Sequence, residues 1–234
     1  MELAGRPLTI SELARELGLN KGTTRDLLET LRAHGLLDRD AERKRYRLGP
    51  RLARLGMAAL GQLDLGGVAR PFLVDLAAET GGAALLLVRD GPRAAIVDKV
   101  DAGQVAVEVS ATVGRRIPLA AGACGKVFLA HVPPAERAAF LDHQGPGTPR
   151  TIRDSRRYAE ELERVKQRGY ATDDEEYLPG VRATAAPIFD ARQQLVACVL
   201  VLGLTTSVTA ADLGSRGEAT RRAAEAISAA LGAP

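Results

Sequence analysis

TISELARELGLNKGTTRDLLETLRAHG, residues 9–35, reads as two short amphipathic helices and the turn between them. Thr9-Ile10-Ser11-Glu12 is a capping box, in which the Thr9 hydroxyl takes an orphan amide and Glu12 reaches back. The helix it opens carries Ile10, Leu13, Ala14 and Leu17 at helical spacing, and Gly18 supplies a left-handed stop. Asn20 caps a second helix over residues 21–34, ended by Gly35. Its apolar face is Thr24, Leu27, Leu28 and Leu31, which leaves Lys21, Thr23, Arg25, Asp26, Glu29 and Arg32 toward solvent. Two such helices joined by a tight turn make a helix-turn-helix.

Working outward, Leu36-Leu37 and Tyr46-Arg47-Leu48 read as two short strands joined by a turn over residues 38–44. The period-two rule points Tyr46 and Leu48 inward and Arg45 and Arg47 outward. A basic hairpin directly after a helix-turn-helix is a wing. Charge agrees: residues 1–54 hold 12 Lys and Arg against 8 Asp and Glu, whereas the remaining chain holds 20 against 21. A basic first domain on an otherwise neutral chain points to a polyanion partner for that domain alone. In duplex DNA the second helix would enter the major groove by its N-terminal end, with Lys21, Thr23, Arg25 and Asp26 as its exposed candidates for bases and Thr24 counted with the DNA-binding set. Arg25 can fork onto a guanine. Thr24 is included although its spacing puts it on the apolar face. Asp26 reads first as a solvated or ion-paired helix residue. Lys21, Arg43, Lys44 and Arg45 suit phosphates, which carry affinity without sequence information.

Composition excludes other classes. The 234 residues are 46% hydrophobic and 26% charged, ordinary for a folded chain, and aromatics are only 3% with no Trp. The densest apolar run, residues 195–204, is far shorter than the ~20 residues of a spanning helix. The N-terminus lacks a secretory pattern, so a cytoplasmic protein with no membrane partner is expected. Cys124 and Cys198 are far apart, and His34, His131 and His143 lack ligand spacing, so neither a disulfide framework nor a metal site is expected. Gly122-Ala123-Cys124-Gly125-Lys126 lacks the spacing of a phosphate loop, and no cofactor is expected. Cys124 beside Lys126 raises the idea of a nucleophile, but with no base in view a buried structural thiol is the plainer reading.

From residue 51 the pattern changes. Residues 51–67 suit a connecting helix broken by Gly66-Gly67, followed by a helix over 68–80. Strands are expected over 83–89 and 94–100 around an Asp90-Gly91 turn, then over 105–110, 170–172, 182–189 and 195–202. Helices are expected over 125–132, 134–141, 155–168 (capped by Ser155) and 214–231, with a loop over 143–151. The fold class is therefore α+β in two domains. These are a winged helix-turn-helix over 1–50 and, after the linker helix 51–67, an antiparallel sheet flanked by helices over 68–234. The acidic run Asp173-Asp174-Glu175-Glu176 reads as an ion-paired turn. Alternation sets Asp173 and Glu175 on one face, and one inward acid is placed to bond a ligand's polar head.

In order along the chain, these motifs resemble the IclR family of bacterial transcriptional regulators. The resemblance rests on Tyr46-Arg47-Leu48-Gly49-Pro50-Arg51-Leu52, Val113-Gly114-Arg115-Arg116-Ile117-Pro118-Leu119 and Gly125-Lys126-Val127-Phe128-Leu129-Ala130. Its most specific part runs through Arg168-Gly169-Tyr170-Ala171, Asp174-Glu175-Glu176, Gly180-Val181-Arg182 and Ala186-Pro187-Ile188-Phe189-Asp190. It implies a GAF-like effector-binding second domain, a homodimer or tetramer, and a regulator, repressor or activator, whose hold on operator DNA a small metabolite alters. It implies an effector pocket at Ala123, Cys124, Asp173, Ala183, Leu200 and Leu202. Relatives that bind small oxo-acids carry Cys and Ser at the positions of Ala183, Leu200 and Leu202. Apolar side chains there leave a tiny dianion without partners, which favours a larger, partly apolar organic effector. The family usually begins with a further helix of ~20 residues, of which residues 1–7 resemble only the tail. A truncated start would leave Ile10, Leu13 and Leu31 partly uncovered. Two other readings remain: an enzyme or metabolite carrier that depends on Cys124, and a DNA-binding protein that needs no ligand.

Overall fold

The computed structural model of the protein describes residues 6–40, 43–52, 54–55, 65–102, 111–120, 122–141 and 147–233. The chain divides into two compact units, residues 1–64 and 65–234. Among the described residues no helix is long and apolar enough to cross a membrane.

The first unit is built as the capping residues dictate. Strand β1 (Leu8–Thr9) leads into α1 (Ile10–Leu17), and α2 (Lys21–Ala33) follows a turn closed by Gly18 at φ 65°. The capping box is complete: the Glu12 amide donates to Thr9 Oγ1, while the Thr9 amide and hydroxyl donate to Glu12 Oε2 at 2.7 and 2.8 Å. Those bonds hold the Glu12 carboxyl down at about 2. Strands β2 (Leu37–Asp40) and β3 (Arg45–Leu48) form the wing, and β1 joins them in an antiparallel sheet of order β1-β3-β2. Leu8, Leu13, Leu28, Leu37 and Tyr46 make its small core, with Ile10 packed against it. Leu13 is thus covered rather than exposed.

Two expectations fail here for the same reason. Leu48 is 51% exposed although alternation points it inward, and Leu27 and Leu31 are exposed although they lie on the apolar face of α2. A core this small covers only the Thr24–Leu28 strip of α2 and the Tyr46 position of β3. Residues 50–52 and 54–55 are helical, and the rest of the expected linker helix up to residue 64 lies outside the described residues.

The second unit is a six-stranded antiparallel sheet of order β6-β5-β4-β9-β8-β7. Its strands are β4 (Ala83–Asp90), β5 (Arg93–Val100), β6 (Arg116–Pro118), β7 (Ala171–Asp174), β8 (Val181–Phe189) and β9 (Leu195–Leu204). Its helices are α3 (Leu65–Thr80), α4 (Gly122–Ala130), α5 (Pro134–Leu141), α6 (Ser155–Arg168) and α7 (Asp212–Ala230). Alternation splits the central strands cleanly. Ala84, Leu86, Val199, Val201 and Ile188 pack with Leu73, Leu76 and Ile227 of α3 and α7. Leu85, Leu87, Cys198, Leu200 and Leu202 pack on the other face with Val127, Phe128, Leu162 and Val165 of α4 and α6. Such a sheet, covered on both faces, reads as continuous apolar runs.

Several boundaries move for local reasons. Gly66 and Gly67 do not break the chain but lie in the first turn of α3, because burial of Leu65, Ala69 and Leu73 outweighs their weak helix propensity. Helix α6 is capped by Asp154, whose carboxylate accepts from the Arg157 amide at 2.7 Å, and not by Ser155. Helix α4 begins at Gly122 rather than Gly125, α7 at Asp212 rather than Gly214, and β7 extends to Asp174. The strand expected over 105–110 lies outside the described residues.

Gly125 marks the tightest packing in this unit, since a Cβ there would overlap the Leu119 carbonyl oxygen. Gly125→Ala is expected to cost about 3 kcal/mol or more in urea unfolding, because backbone must move. Gly214→Ala, on α7 with open space around it, is expected to gain up to about 1 kcal/mol.

Candidate functional site

In the first unit the start of α2 presents Lys21, Thr23, Arg25 and Asp26 to solvent. Asn20 fixes this end, its side chain accepting from the Thr23 amide at 2.9 Å. Thr24 is not among the accessible residues: it is fully buried, and its hydroxyl donates to the Asn20 carbonyl at 2.8 Å. Its α2 position faces the core, so it serves the fold and is no base contact. On the wing Arg43 and Lys44 are exposed, Lys44 at the hairpin tip with φ 51°. Arg45 is half-buried and donates to the Pro7 carbonyl at 2.9 Å. Arg43, Arg45 and Arg47 line one shallow depression with Pro7 and Asp40. Arg47, paired with Asp38 at 3.3 Å, was legible as outward-pointing in the strand alternation yet stood outside the expected contact set.

In the second unit Ala123, Cys124, Asp173, Ala183, Leu200 and Leu202 come together around one cavity. Helix α4 supplies the first two, β7 the third, and β8 and β9 the rest, because residues 183, 200 and 202 share the face that meets α4. Sequence reasoning missed the opposite wall, which adds Ile96, Arg115, Ile117, Tyr177, Leu178 and Val181. The cavity measures about 50 Å³, and its lining is overwhelmingly apolar.

Asp173 is the acid in that lining. It is buried, and its Oδ1 accepts from the amides of Glu176 at 2.6 Å and Tyr177 at 3.4 Å. Its Oδ2 lies against Gly122, where φ is 60° and a Cβ would come within 2.5 Å of that oxygen. Burial pushes the Asp173 carboxyl up to about 6, against the pull of the Glu176 amide. The neighbouring acids do not alternate as expected. Strand geometry ends at Asp174 and Glu175 is left-handed at φ 59°, so Glu176 turns inward beside Asp173. Glu176 meets Lys126, itself fully buried, at 2.6 Å, and Lys126 also donates to the Thr172 carbonyl at 2.8 Å. Asp174 pairs with Arg182 at 2.6 Å and with Arg150, and Glu175 accepts from the Gly180 amide at 2.9 Å. Cys124 and Cys198 are buried with their sulfurs 3.3 Å apart. His131 Nδ1 is bonded to the Val127 carbonyl at 2.9 Å on the far side of α4.

A family model for the C-terminal part of the bacterial transcriptional regulator IclR matches residues 57–229, and one for the IclR helix-turn-helix domain matches residues 2–41. The chain belongs to the IclR family. Among its IclR relatives, the HTH-type transcriptional regulator XynR of Escherichia coli K12 is 33% identical over 229 residues, covering 97% of this chain and 90% of that protein. The IclR transcriptional regulator of Alicyclobacillus acidocaldarius is similar in structure, with TM-score 0.84 and 30% identity over 97% of this chain and 92% of that one. An IclR homologue of Microbacterium hydrocarbonoxydans, complexed with 4-hydroxybenzoate, shares the fold at TM-score 0.79 and 22% identity, over 96% and 91% of the two chains. As an IclR regulator, the chain joins a DNA-binding helix-turn-helix domain to a C-terminal effector-binding domain.

The raised Asp173 carboxyl gives a pH signature. The folded state keeps this proton to about pH 6, whereas the unfolded chain releases it near 3.8, so stability falls as pH rises through that window. Asp173→Asn keeps the acceptor for the two amides and removes the charge. It is expected to match the parent below pH 4 and to exceed it by about 2–3 kcal/mol at pH 7 in urea unfolding.

Proposed function

We propose that the protein is a dimeric or tetrameric, cytoplasmic, non-enzymatic operator-binding regulator. Residues 1–50 read DNA, 51–67 carry the signal, and 68–234 hold a partly apolar organic effector around Ala123, Cys124, Asp173, Ala183, Leu200 and Leu202. Lys21, Thr23 and Arg25 enter the major groove, and Arg43, Lys44 and Arg45 meet phosphates, joined by Arg47. The observation that carries the effector reading is the almost wholly apolar cavity with one buried carboxyl in its wall. An apolar body satisfies Ala183, Leu200 and Leu202, and a hydroxyl or amine on it satisfies Asp173. A small dianion would meet the Asp173 carboxyl and a wall in which, among the described residues, Arg115 alone carries positive charge, poor compensation for its lost water.

The size of the cavity supports a mechanism as well. Pockets that bind organic ligands measure roughly 300 Å³ or more, and about 50 Å³ is open here. Entry therefore displaces part of the wall, and the 175–180 loop between β7 and β8 is the irregular segment in it. A ligand that binds one arrangement better than another shifts the population, and a coupling of about 1–3 kcal/mol changes operator affinity roughly 5–150-fold.

Fluorescence anisotropy on labelled DNA from upstream of the gene, against scrambled DNA at two salt concentrations, tests the DNA half. The upstream DNA should bind tighter, and both affinities should fall with salt. Arg25→Ala should lose about 10–100-fold on the upstream DNA and far less on scrambled DNA. Lys44→Ala should weaken both alike and reduce the salt slope by about 1. Equal, salt-insensitive affinity for the two DNAs would overturn the reading.

A further inference from the structure

The candidates outside the proposed contacts are a cleft beside His131 and Arg221, the unpaired Tyr158 hydroxyl, and the cysteine pair beneath the cavity. In the cleft Arg221 is already bound to Glu218 and Glu225. Tyr158 is buried, with its hydroxyl held protonated by that burial. The cysteine pair carries more.

We propose that Cys124 and Cys198 form an oxidisable dithiol at the floor of the cavity, which a small hydroperoxide entering that cavity converts to an intramolecular disulfide. Three features of the fold lead there. The chain's only two cysteines, 74 positions apart, are brought to a sulfur–sulfur distance of 3.3 Å by the packing of α4 on β9. Cys124 lines the cavity, while Cys198 lies one strand repeat deeper than Leu200 on the same face. The cavity's 50 Å³ admits a molecule the size of hydrogen peroxide without rearrangement. Among the described residues no third His, Cys, Asp or Glu joins the pair as a metal-ligand group.

The order of events follows from access. Cys124 sulfur attacks one peroxide oxygen, the O–O bond breaks, and the departing oxygen leaves as water with the thiol proton. Cys198 sulfur then attacks the Cys124 sulfenic sulfur. The S–O bond breaks, and the hydroxyl leaves as a second water with the Cys198 proton. Two thiols lose two electrons and one peroxide becomes two waters. Burial holds the Cys198 thiol protonated, which disfavours it as the first nucleophile, and its proton leaves with the departing hydroxyl in the second step.

Closing the bond brings the sulfurs from 3.3 Å to about 2.05 Å. Strand β9 is paired on both sides, with β4 and β8, so the adjustment falls on the first turn of α4. That turn and β9 are two walls of the same cavity, so oxidation reshapes the space open to a ligand. Disulfides in reducing compartments are mostly transient and sensory, which is the use this arrangement suits.

The test exposes the full-length chain to hydrogen peroxide, quenches with an alkylating reagent under denaturing, non-reducing conditions, and reads intact and peptide masses. The expected result is joint loss of both thiols, a Cys124–Cys198 linked peptide, and recovery of both with dithiothreitol. Cys198→Ser should leave Cys124 as a sulfenic acid that dimedone traps, and Cys124→Ser should leave Cys198 alkylatable and untrapped. The proposal is overturned if both thiols of the parent stay alkylatable under conditions that oxidise free glutathione. Disulfides formed only between chains, or dimedone capture at Cys198, would overturn it too.

Discussion

The second unit is organised around one buried ion pair, Lys126 with Glu176. A lysine ammonium with 1% of its side chain exposed is held at 2.6 Å from a carboxylate that is itself 15% exposed. Burying two charges costs several kcal/mol each, and only close geometry with further hydrogen bonds offsets it. Those bonds are present. Lys126 also donates to the Thr172 carbonyl, while the Thr148 and Thr151 hydroxyls donate to the carbonyls of Glu175 and Glu176, each at 2.6 Å. The pair fastens the acidic loop to α4, and through the Glu176 amide it sets the orientation of Asp173. The cavity wall, the carboxyl in it and the left-handed Glu175 all follow from that attachment.

The two units divide their physics differently. The first has, among its described residues, a small core around Leu8, Leu13, Leu28, Leu37 and Tyr46 and depends on caps and strand pairing to define α2. Its exposed cations sit on a helix end and a hairpin, rigid elements suited to matching a duplex. The second buries both faces of its sheet and carries an irregular, charged loop, residues 175–180, beside Asp173. A site whose wall is a charged, irregular loop against a fixed sheet is suited to two arrangements of similar energy, which ligand control of affinity requires.

Where the chemistry is local, the sequence was legible. Thr9-Ile10-Ser11-Glu12 specifies its own capping box, and Gly18 and Gly35 adopt the left-handed turns expected of them. The resemblance supplied the residues that the fold gathers at the cavity, but not its far wall of Ile96, Arg115 and Ile117. Nothing in their spacing links β5 and β6 to α4. Misreadings arose where tertiary packing overrides a local rule. Leu48 looks inward yet is left exposed by a small core, whereas Thr24 is buried as its helical spacing says and was misread only in being counted toward DNA. Gly66 and Gly67 look like a break yet sit under a buried helix face. The acidic run defeats alternation because Glu176 is drawn to Lys126, fifty positions away.

Urea unfolding of Glu176→Gln beside the double variant Lys126→Met/Glu176→Gln tests the organising role of the pair most directly. The single change leaves a buried ammonium without its counter-charge and should cost about 3–5 kcal/mol, and the double change should recover most of that loss. Amide exchange at residues 176 and 177 should speed up in the single variant, because their bonds to Asp173 depend on the same anchor. A single variant within about 0.5 kcal/mol of the parent, or a double variant no more stable than the single, would contradict the account.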